Sequence, residues 1–530
     1  MERHIGVWHK ETMPQKGEVA ELIIDGNSIE FYSRFHGEVF PTTFIGNDGE
    51  FSYKVFVNGS SRSSSKKTLE YTSAHRVFYV LMQNFAFSKG TDISGIKEFS
   101  FYIPEIIDWL GVTTVSYDSV TEVGLVAAEK HLEPIVINKG NPHVELYFES
   151  KSYESILSDD RTEITLKKEP RIKVEYEVPQ NIQSVMDDIE CLMQFFGLLI
   201  GTVSTAQDIR LSVEGQDLKS WLFFNRDFSY NVMTRGITNR PRTYFYIVKD
   251  KLERYYSNWR TFYLDDSYSL LRRIYFSVNG RKEIFAEEIF VEYMRILDGY
   301  HTRISVDEES KRKLKDALKA SKNAIKKLIF TDEGRPLFEE PIKSVIPEWK
   351  YNSSHVEDIA GWIAAGYLAK TPLSYRLQEL DSQHLCIMSR NAVMIEKRRS
   401  NKSEIENKTE YELIQLFFKE LGDTRNYYSH YKLDKSGVLE IGQISTSINV
   451  LKATIIYILF YHMGMEEDLI RKILEFDDEL HFETMVLRAE GERPFEPPAR
   501  LIVDEIKNSE EKPGFFKKLI NRIRGYVHGR

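Results

Sequence analysis

Several polar side chains that suit phosphodiester chemistry are spaced so that one face of a helix would present them together. They lie in the segment Arg425-Asn426-Tyr427-Tyr428-Ser429-His430-Tyr431. At about 100° per residue, its Arg, Asn, Ser and His share an arc of roughly 140°, and the three tyrosines fall on the opposite side, where they can pack. Arginine binds phosphate oxygens in a fork, and histidine exchanges protons near neutral pH. The pattern predicts a site that binds and cleaves a phosphodiester.

The composition is that of a soluble multidomain protein. Its 530 residues exceed what one hydrophobic core holds, which predicts two or three domains. The two cysteines, Cys191 and Cys386, provide no disulfide framework, and the N-terminus has no apolar stretch of the signal-peptide kind. The most apolar run, residues 453–461, is too short to span a bilayer and predicts a buried helix. We therefore expect a cytoplasmic protein that has no membrane partner.

The charge distribution limits how the chain could meet nucleic acid. A net charge of −9 argues against nonspecific coating, although a local basic patch can still receive RNA. Candidate patches are residues 311–327, residues 515–530, and a cluster that contains Arg398 and Arg399. We take Arg398 and Arg399 as candidate substrate-binding residues, because they come shortly before the motif. Such basic runs are equally typical of solvated helix faces.

Strand patterns dominate residues 1–241 and predict a β-rich N-terminal domain, sandwich-like or barrel-like, with one helix packed on it. Apolar–polar alternation around Asp25-Gly26 predicts a hairpin, because both turn positions tolerate positive φ. Apolar residues at helical spacing after Asn181 predict the helix. Further strands are predicted at residues 51–57, 98–103, 143–148, 172–178 and 209–224.

Helical periodicity dominates residues 242–490 and predicts an all-α bundle, so the chain is expected to be an α+β multidomain protein. Residues 491–530 read as a Pro-containing linker and a basic amphipathic tail. The predicted helices cover residues 249–276, 283–301, 308–330, 355–368, 373–385, 411–421 and 444–463.

The context of the motif distinguishes it from chance. An Arg followed five residues later by a His is expected about once at random in a chain of this composition. Here Asn426 lies one turn before His430, an amphipathic helix precedes the motif, and a strongly apolar one follows it. Arg-Asn-x-x-x-His between bundle helices resembles the signature of HEPN-domain ribonucleases. The order of a β-rich domain and then this bundle resembles the ApeA-like branch, bacterial abortive-infection proteins that act against phage.

The resemblance implies a metal-independent endoribonuclease without a cofactor, which would cut tRNA or another cellular RNA. His430 would transfer protons, Arg425 would stabilise the charge on phosphorus, and Asn426 would position His430 or a phosphate oxygen. Ser429 would line the site, and Tyr428 could stack on a base. The family brings two motif helices together by two-fold dimerisation, which implies a homodimer with the 444–463 helix near the interface. The β-rich domain would sense an invader, with a phage protein as the trigger.

The sequence leaves two other hypotheses about the function open. The first is a non-catalytic HEPN module that binds RNA or a protein, which the presence of the Arg/His pair disfavours. The second places the function in the N-terminal domain, as a sandwich that binds a ligand or glycan through surface aromatics such as Tyr53, Tyr71 and Trp109.

Overall fold

The computed structural model describes most of the strand-rich half and the helices around the motif. The described residues are 2–25, 28–33, 42–61, 73–83, 94–111, 115–121, 124–129, 132–158, 161–203, 205–214, 219–224, 241–281, 284–305, 372–430, 435–477 and 480, with single positions between 312 and 340. The predicted helix at 355–368, the 491–530 segment, Tyr71 and Tyr431 lie outside these ranges.

The β-rich N-terminal region predicted from the sequence is confirmed as a 12-stranded antiparallel sheet and a separate two-stranded one. The order of the large sheet is β10-β11-β12-β7-β13-β14-β6-β3-β2-β1-β4-β5, and the small one pairs β8 with β9. The strands are β1 Glu2–Lys10, β2 Met13–Asp25, β3 Ser28–Ser33, β4 Thr42–Asn47, β5 Ser52–Ser61, β6 Ser73–Gln83, β7 Ser94–Tyr102, β8 Val115–Thr121, β9 Gly124–Glu129, β10 Ile135–Asn138, β11 His143–Ser158, β12 Arg161–Asn181, β13 Gln207–Val213 and β14 Lys219–Phe224.

Strands β1 to β6 take the barrel-like form, because β5 pairs with both β4 and β6 and so closes a ring of antiparallel pairings. The predicted hairpin joins β2 to β3, with Asp25 opposite Ser28. Side chains that alternate inward fill the barrel, and Trp8 and Tyr53 among them have 0% exposure. Gly46 allows the Trp8 ring to approach, since a Cβ at Gly46 would lie 2.2 Å from it.

Two of the three aromatic residues proposed for a ligand-binding surface, Tyr53 and Trp109, are core residues instead. Tyr53 is fully buried in the barrel, and Trp109 is 1% exposed and donates to the Thr243 hydroxyl at 3.1 Å. The surface-aromatic prediction is therefore wrong for both residues. An aromatic ring on a strand or short helix gives no local signal of which face will be covered.

Eleven α-helices have described bounds. Helix α2 packs against β7 and β12, and it begins at Asn181, whose side-chain oxygen accepts from Ser184 N at 2.9 Å. The helices are α1 Ile106–Leu110, α2 Ile182–Ile200, α3 Phe245–Val248, α4 Leu252–Leu264, α5 Ser269–Gly280, α6 Ala286–Tyr300, α7 Leu373–Gln383, α8 Ile387–Glu396, α9 Glu410–His430, α10 Ile441–His462 and α11 Glu467–Phe476.

The helical region confirms the second half of the predicted fold class, with two local differences. The predicted 249–276 helix is divided into α4 and α5, because Asp265 takes an extended conformation and its side chain caps a short 3₁₀ turn. Helix α8 was not predicted. Helix α10 is long and apolar enough to cross a membrane by length and composition, and 72% of its most apolar window is buried within the protein.

The chain divides into two compact units. One comprises Met1–Phe285 with Ile456–Phe482, and the other comprises Ala286–Ile455 with Glu483–Arg530. The three-part division predicted at 241/242 and 490/491 stays a prediction. The motif helix α9 lies wholly in the second unit.

Candidate functional site

The candidate site lies at the C-terminal end of α9. Local sequence determines where this helix begins and which of its faces is buried. Thr409 and Glu412 form a capping box: Thr409 N and its hydroxyl donate to the Glu412 carboxylate at 2.8 and 2.9 Å, and Glu412 N donates back to the Thr409 hydroxyl at 3.3 Å. The apolar face then packs against α6, α7 and α8. Its buried residues are Leu413, Ile414, Phe417, Phe418 and Leu421.

The motif residues extend from this packed face toward solvent. Arg425, Asn426 and Ser429 are half-buried, and His430, the last residue of the helix, is exposed. Arg425 and His430 are about 7.5 Å apart along the axis and about 140° apart around it, from ideal helix geometry. The helix therefore presents the guanidinium at the margin of the core and the imidazole in water.

The Arg425 guanidinium is oriented by its neighbour and keeps unused hydrogen-bonding capacity. Arg425 Nη1 donates to Asn426 Oδ1 at 3.1 Å. Its Nε is buried and meets no acceptor among the residues that the structure describes. An arginine has five N–H donors, and a buried donor without an acceptor costs about 1–3 kcal/mol. Among the described residues, Asn426 engages one of the four Nη–H donors, so the Nη groups can still bind an anionic group.

The tyrosines beside the motif are less buried than an aromatic core face would be. Tyr427 and Tyr428 are both half-buried, and their rings meet edge to face, with centroids 5.0 Å apart and an angle of 85° between their planes. Burial, together with the nearby Glu287 carboxylate, raises the pKa of the Tyr428 phenol. The expected packing is thus only partial, and both rings keep some accessible surface.

The chain returns onto α9 directly after the motif and holds it there, a feature that the sequence reading missed. Thr424, which is fully buried, accepts a hydrogen bond from Leu439 N at 2.8 Å. Gly437 has φ of +72°, and a Cβ on it would lie 2.8 Å from an Asp423 carboxylate oxygen. The sequence does contain Thr424 directly before the motif and Gly437 after it. Neither residue, however, predicts which segment of the chain will pack against α9.

The two basic candidates before the motif bond to the protein itself. Arg399 Nη1 lies 3.3 Å from Glu396 and 2.9 Å from Glu420, and its side chain is 12% exposed. Arg398 Nη1 donates to the Thr446 hydroxyl at 2.9 Å. Their assignment as RNA ligands stays a prediction, and for Arg399 it would require leaving two carboxylates.

The Glu396 carboxyl lies in this cluster beside Glu420, and its pKa is raised. Burial raises the pKa of the Glu396 carboxyl to about 8, and the neighbouring Glu420 charge adds to this effect, whereas Arg399 opposes it. Gln443 Nε2 lies 3.5 Å from Glu396 Oε1, so the cluster connects α8, α9 and α10. Among the described residues, no group of three or more His, Cys, Asp or Glu is arranged to hold a metal ion.

Comparison with known proteins gives two matches along the chain. Residues 3–259 match the model of ApeA N-terminal domain 1, and residues 291–469, which include the motif, match that of the Apea-like HEPN domain. No curated protein and no solved structure matches the chain. The chain therefore belongs to the ApeA-like HEPN family, a HEPN-type family of anti-phage effectors.

Proposed function

We propose that this protein is a metal-independent endoribonuclease whose catalytic groups are Arg425 and His430. The observation that carries the proposal is their placement on one helix end. His430 is exposed, and Arg425 has Nη donors beyond the one that Asn426 accepts among the described residues. HEPN domains are generally RNase-like, which supports the same chemistry.

The reaction needs no external nucleophile, because RNA carries its own 2′-hydroxyl. Histidine accepts the 2′-hydroxyl proton while the 2′-oxygen attacks phosphorus, and a proton is delivered to the 5′-oxygen as its bond to phosphorus breaks. Arg425 stabilises the added negative charge on the phosphorane oxygens. Asn426 Oδ1, which already accepts from Arg425 Nη1, helps to hold the guanidinium in place. The products are a 2′,3′-cyclic phosphate and a 5′-hydroxyl.

The chemistry also argues for a dimer. The base and the acid act on opposite sides of phosphorus, and one imidazole at the end of one helix does not reach both. A two-fold axis beside α9 would supply the second His430 from another copy. We therefore propose a homodimer, with α9 and α10 near its interface.

We extend the proposal to the RNA that is cleaved and to the way in which the nuclease is kept inactive. We propose tRNA or another RNA with exposed single-stranded loops, because unpaired nucleotides can adopt the in-line geometry that a duplex resists. An RNase that acts on cellular RNA must stay inactive until infection. We propose that the β-rich unit senses a phage protein and restrains the nuclease.

The direct test measures cleavage of total tRNA by the full chain and maps the new ends. We expect wild type to produce 5′-hydroxyl ends, and His430→Ala and Arg425→Ala to lose about 100-fold or more in rate. Arg295→Ala is the matched control, since Arg295 is an exposed arginine on α6 whose ion pair among the described residues is with Glu292 of the same helix. Full activity in His430→Ala would refute the proposal. Binding of tRNA without cleavage by wild type would favour a non-catalytic HEPN module.

A mixing experiment tests the composite site separately. Equal amounts of wild type and His430→Ala, exchanged into mixed dimers, leave about a quarter of dimers with two intact histidines. If each site needs both copies, the rate per wild-type chain should fall by about half. An unchanged rate per wild-type chain would exclude a shared site and leave the single-helix chemistry standing.

A further inference from the structure

Tyr427 is the aromatic residue beside His430 on the helix surface. Residues three apart on a helix are neighbours, so Tyr427 lies about 60° around the axis from His430 and about 4.5 Å before it. Tyr428 is about 160° away from His430, nearer the direction of the buried face. The two tyrosines therefore have different positions relative to the proposed catalytic histidine.

The environment of Tyr427 differs from that of a core aromatic. Phe417 and Phe418, on the packed face of the same helix, have 0% exposure, whereas Tyr427 is half-buried. Its ring is nevertheless held, because Tyr428 meets it edge to face at 5.0 Å. A ring that is ordered but partly accessible loses little conformational entropy when a ligand stacks on it.

We propose that Tyr427 is a base-stacking residue, which binds the unpaired nucleotide beside the scissile phosphate while Tyr428 supports its ring. This inference rests on the proposed function. It adds a third contact to the helix end: Arg425 for the phosphate, His430 for proton transfer, and Tyr427 for a base. Stacking on an aromatic ring is how proteins hold splayed, single-stranded RNA, and it tolerates any base because every base has a π face.

The contact also has a chemical purpose. In-line attack requires the ribose to rotate away from its helical conformation, and that rotation is open to a nucleotide outside a duplex. A base held against Tyr427 would keep the flanking nucleotide unstacked from its neighbours while His430 acts on the adjoining phosphate. The site would therefore select unpaired segments and show little sequence preference.

The experiment compares two variants on three substrates. The variants are Tyr427→Leu, which keeps apolar bulk but has no π face, and Tyr427→Phe, which keeps the ring. Tyr411→Leu is the matched control, since Tyr411 is a 50% exposed tyrosine in the first turn of the same helix. One substrate is a single-stranded oligoribonucleotide. The other two carry an abasic ribose, one on the 5′ side and one on the 3′ side of the cleaved bond, and both retain the attacking 2′-hydroxyl.

Stacking predicts a specific pattern of kcat/KM. On the normal substrate, Tyr427→Leu should lose roughly 5- to 150-fold, since stacking contributes about 1–3 kcal/mol per base. Tyr427→Phe and Tyr411→Leu should stay within about twofold of wild type, because both variants keep an aromatic ring at position 427. On one abasic substrate, wild type should lose a similar factor, and Tyr427→Leu should lose nothing further.

Two results would overturn the stacking role while leaving the nuclease intact. One is a loss by Tyr427→Leu that is equal on the normal substrate and on both abasic substrates, which would mean that neither flanking base contacts the ring. The other is a loss in Tyr427→Phe as large as in Tyr427→Leu, which would assign the effect to the hydroxyl. Cleavage that does not depend on His430 would instead overturn the proposed function, and the stacking inference with it.

Discussion

Replacing Glu396 by glutamine should stabilise the helical unit at alkaline pH. Glu396 is fully buried, Glu420 is 2% exposed, and the two carboxyl groups share one guanidinium, that of Arg399. Burial of the Glu396 carboxyl raises its pKa to about 8, and the nearby Glu420 charge adds to this effect, whereas Arg399 opposes it. At neutral pH the folded pair therefore holds a proton, whereas the unfolded chain does not.

The sign and size of the effect follow from this shift. Between the ordinary pKa of 4.5 and about 8, the folded state binds a proton that the unfolded state has released, so stability falls as pH rises through this window. Each pKa unit corresponds to about 1.4 kcal/mol, so the whole window is worth on the order of 5 kcal/mol. Glutamine is neutral at every pH and nearly isosteric. The Glu396→Gln variant should lack this decline and exceed wild type in stability above pH 8.

Hydrogen exchange of α8 and α9 amides is the suitable assay, because the chain has two compact units and global unfolding need not be two-state. Exchange protection should fall from pH 6 to pH 9 in wild type, after correction for intrinsic rates, and stay level in Glu396→Gln. Glu406→Gln, at an exposed position, is the control. Equal pH slopes in wild type and Glu396→Gln would refute the shared-proton account.

Three further substitutions test the packing around the site and the barrel. Thr424→Val should cost about 1–3 kcal/mol, because it leaves Leu439 N–H buried without its acceptor, whereas Thr424→Ser should recover most of that loss in thermal melts. Gly437→Ala should cost about 1 kcal/mol or more, since φ is +72° and the new Cβ would meet a side-chain oxygen of α9, and the rate of tRNA cleavage should fall with it. Gly46→Ala should cost several kcal/mol, because its Cβ would enter the Trp8 ring, and loss of the near-UV circular dichroism of Trp8 would report it. Unchanged melting in all three would contradict these packing arguments.

Prediction from the sequence succeeded where short-range spacing carries the information. The β-rich then helical order, the hairpin at β2–β3 and the helix after Asn181 are set by turn residues, capping residues and periodicity within a few positions. The motif helix belongs to the same class, since its capping box and apolar stripe are local. The Arg425 and His430 roles remain predictions that mutagenesis must test.

The sequence did not predict elements that are stabilised by segments far away along the chain. Strand β1 looks polar and charged at its start, yet Trp8 is fully buried because β2 and β4 pair with it on either side. Helix α8 lacks a local N-cap, and its first-turn N–H groups instead donate to Asp381 of α7 at 2.8 Å. The local sequence of β1 or of α8 does not identify the segment that stabilises it.

The sequence alone determined which side chains share the surface of α9, because helix geometry relates residues three, four and five apart wherever the helix is placed. Tertiary structure decided their environments. It left His430 in water and Tyr427 partly accessible, and it placed Arg399 between two carboxylates rather than in solvent. The reason is that exposure and pKa depend on atoms brought near by chain segments far away in sequence, whose approach no local pattern encodes.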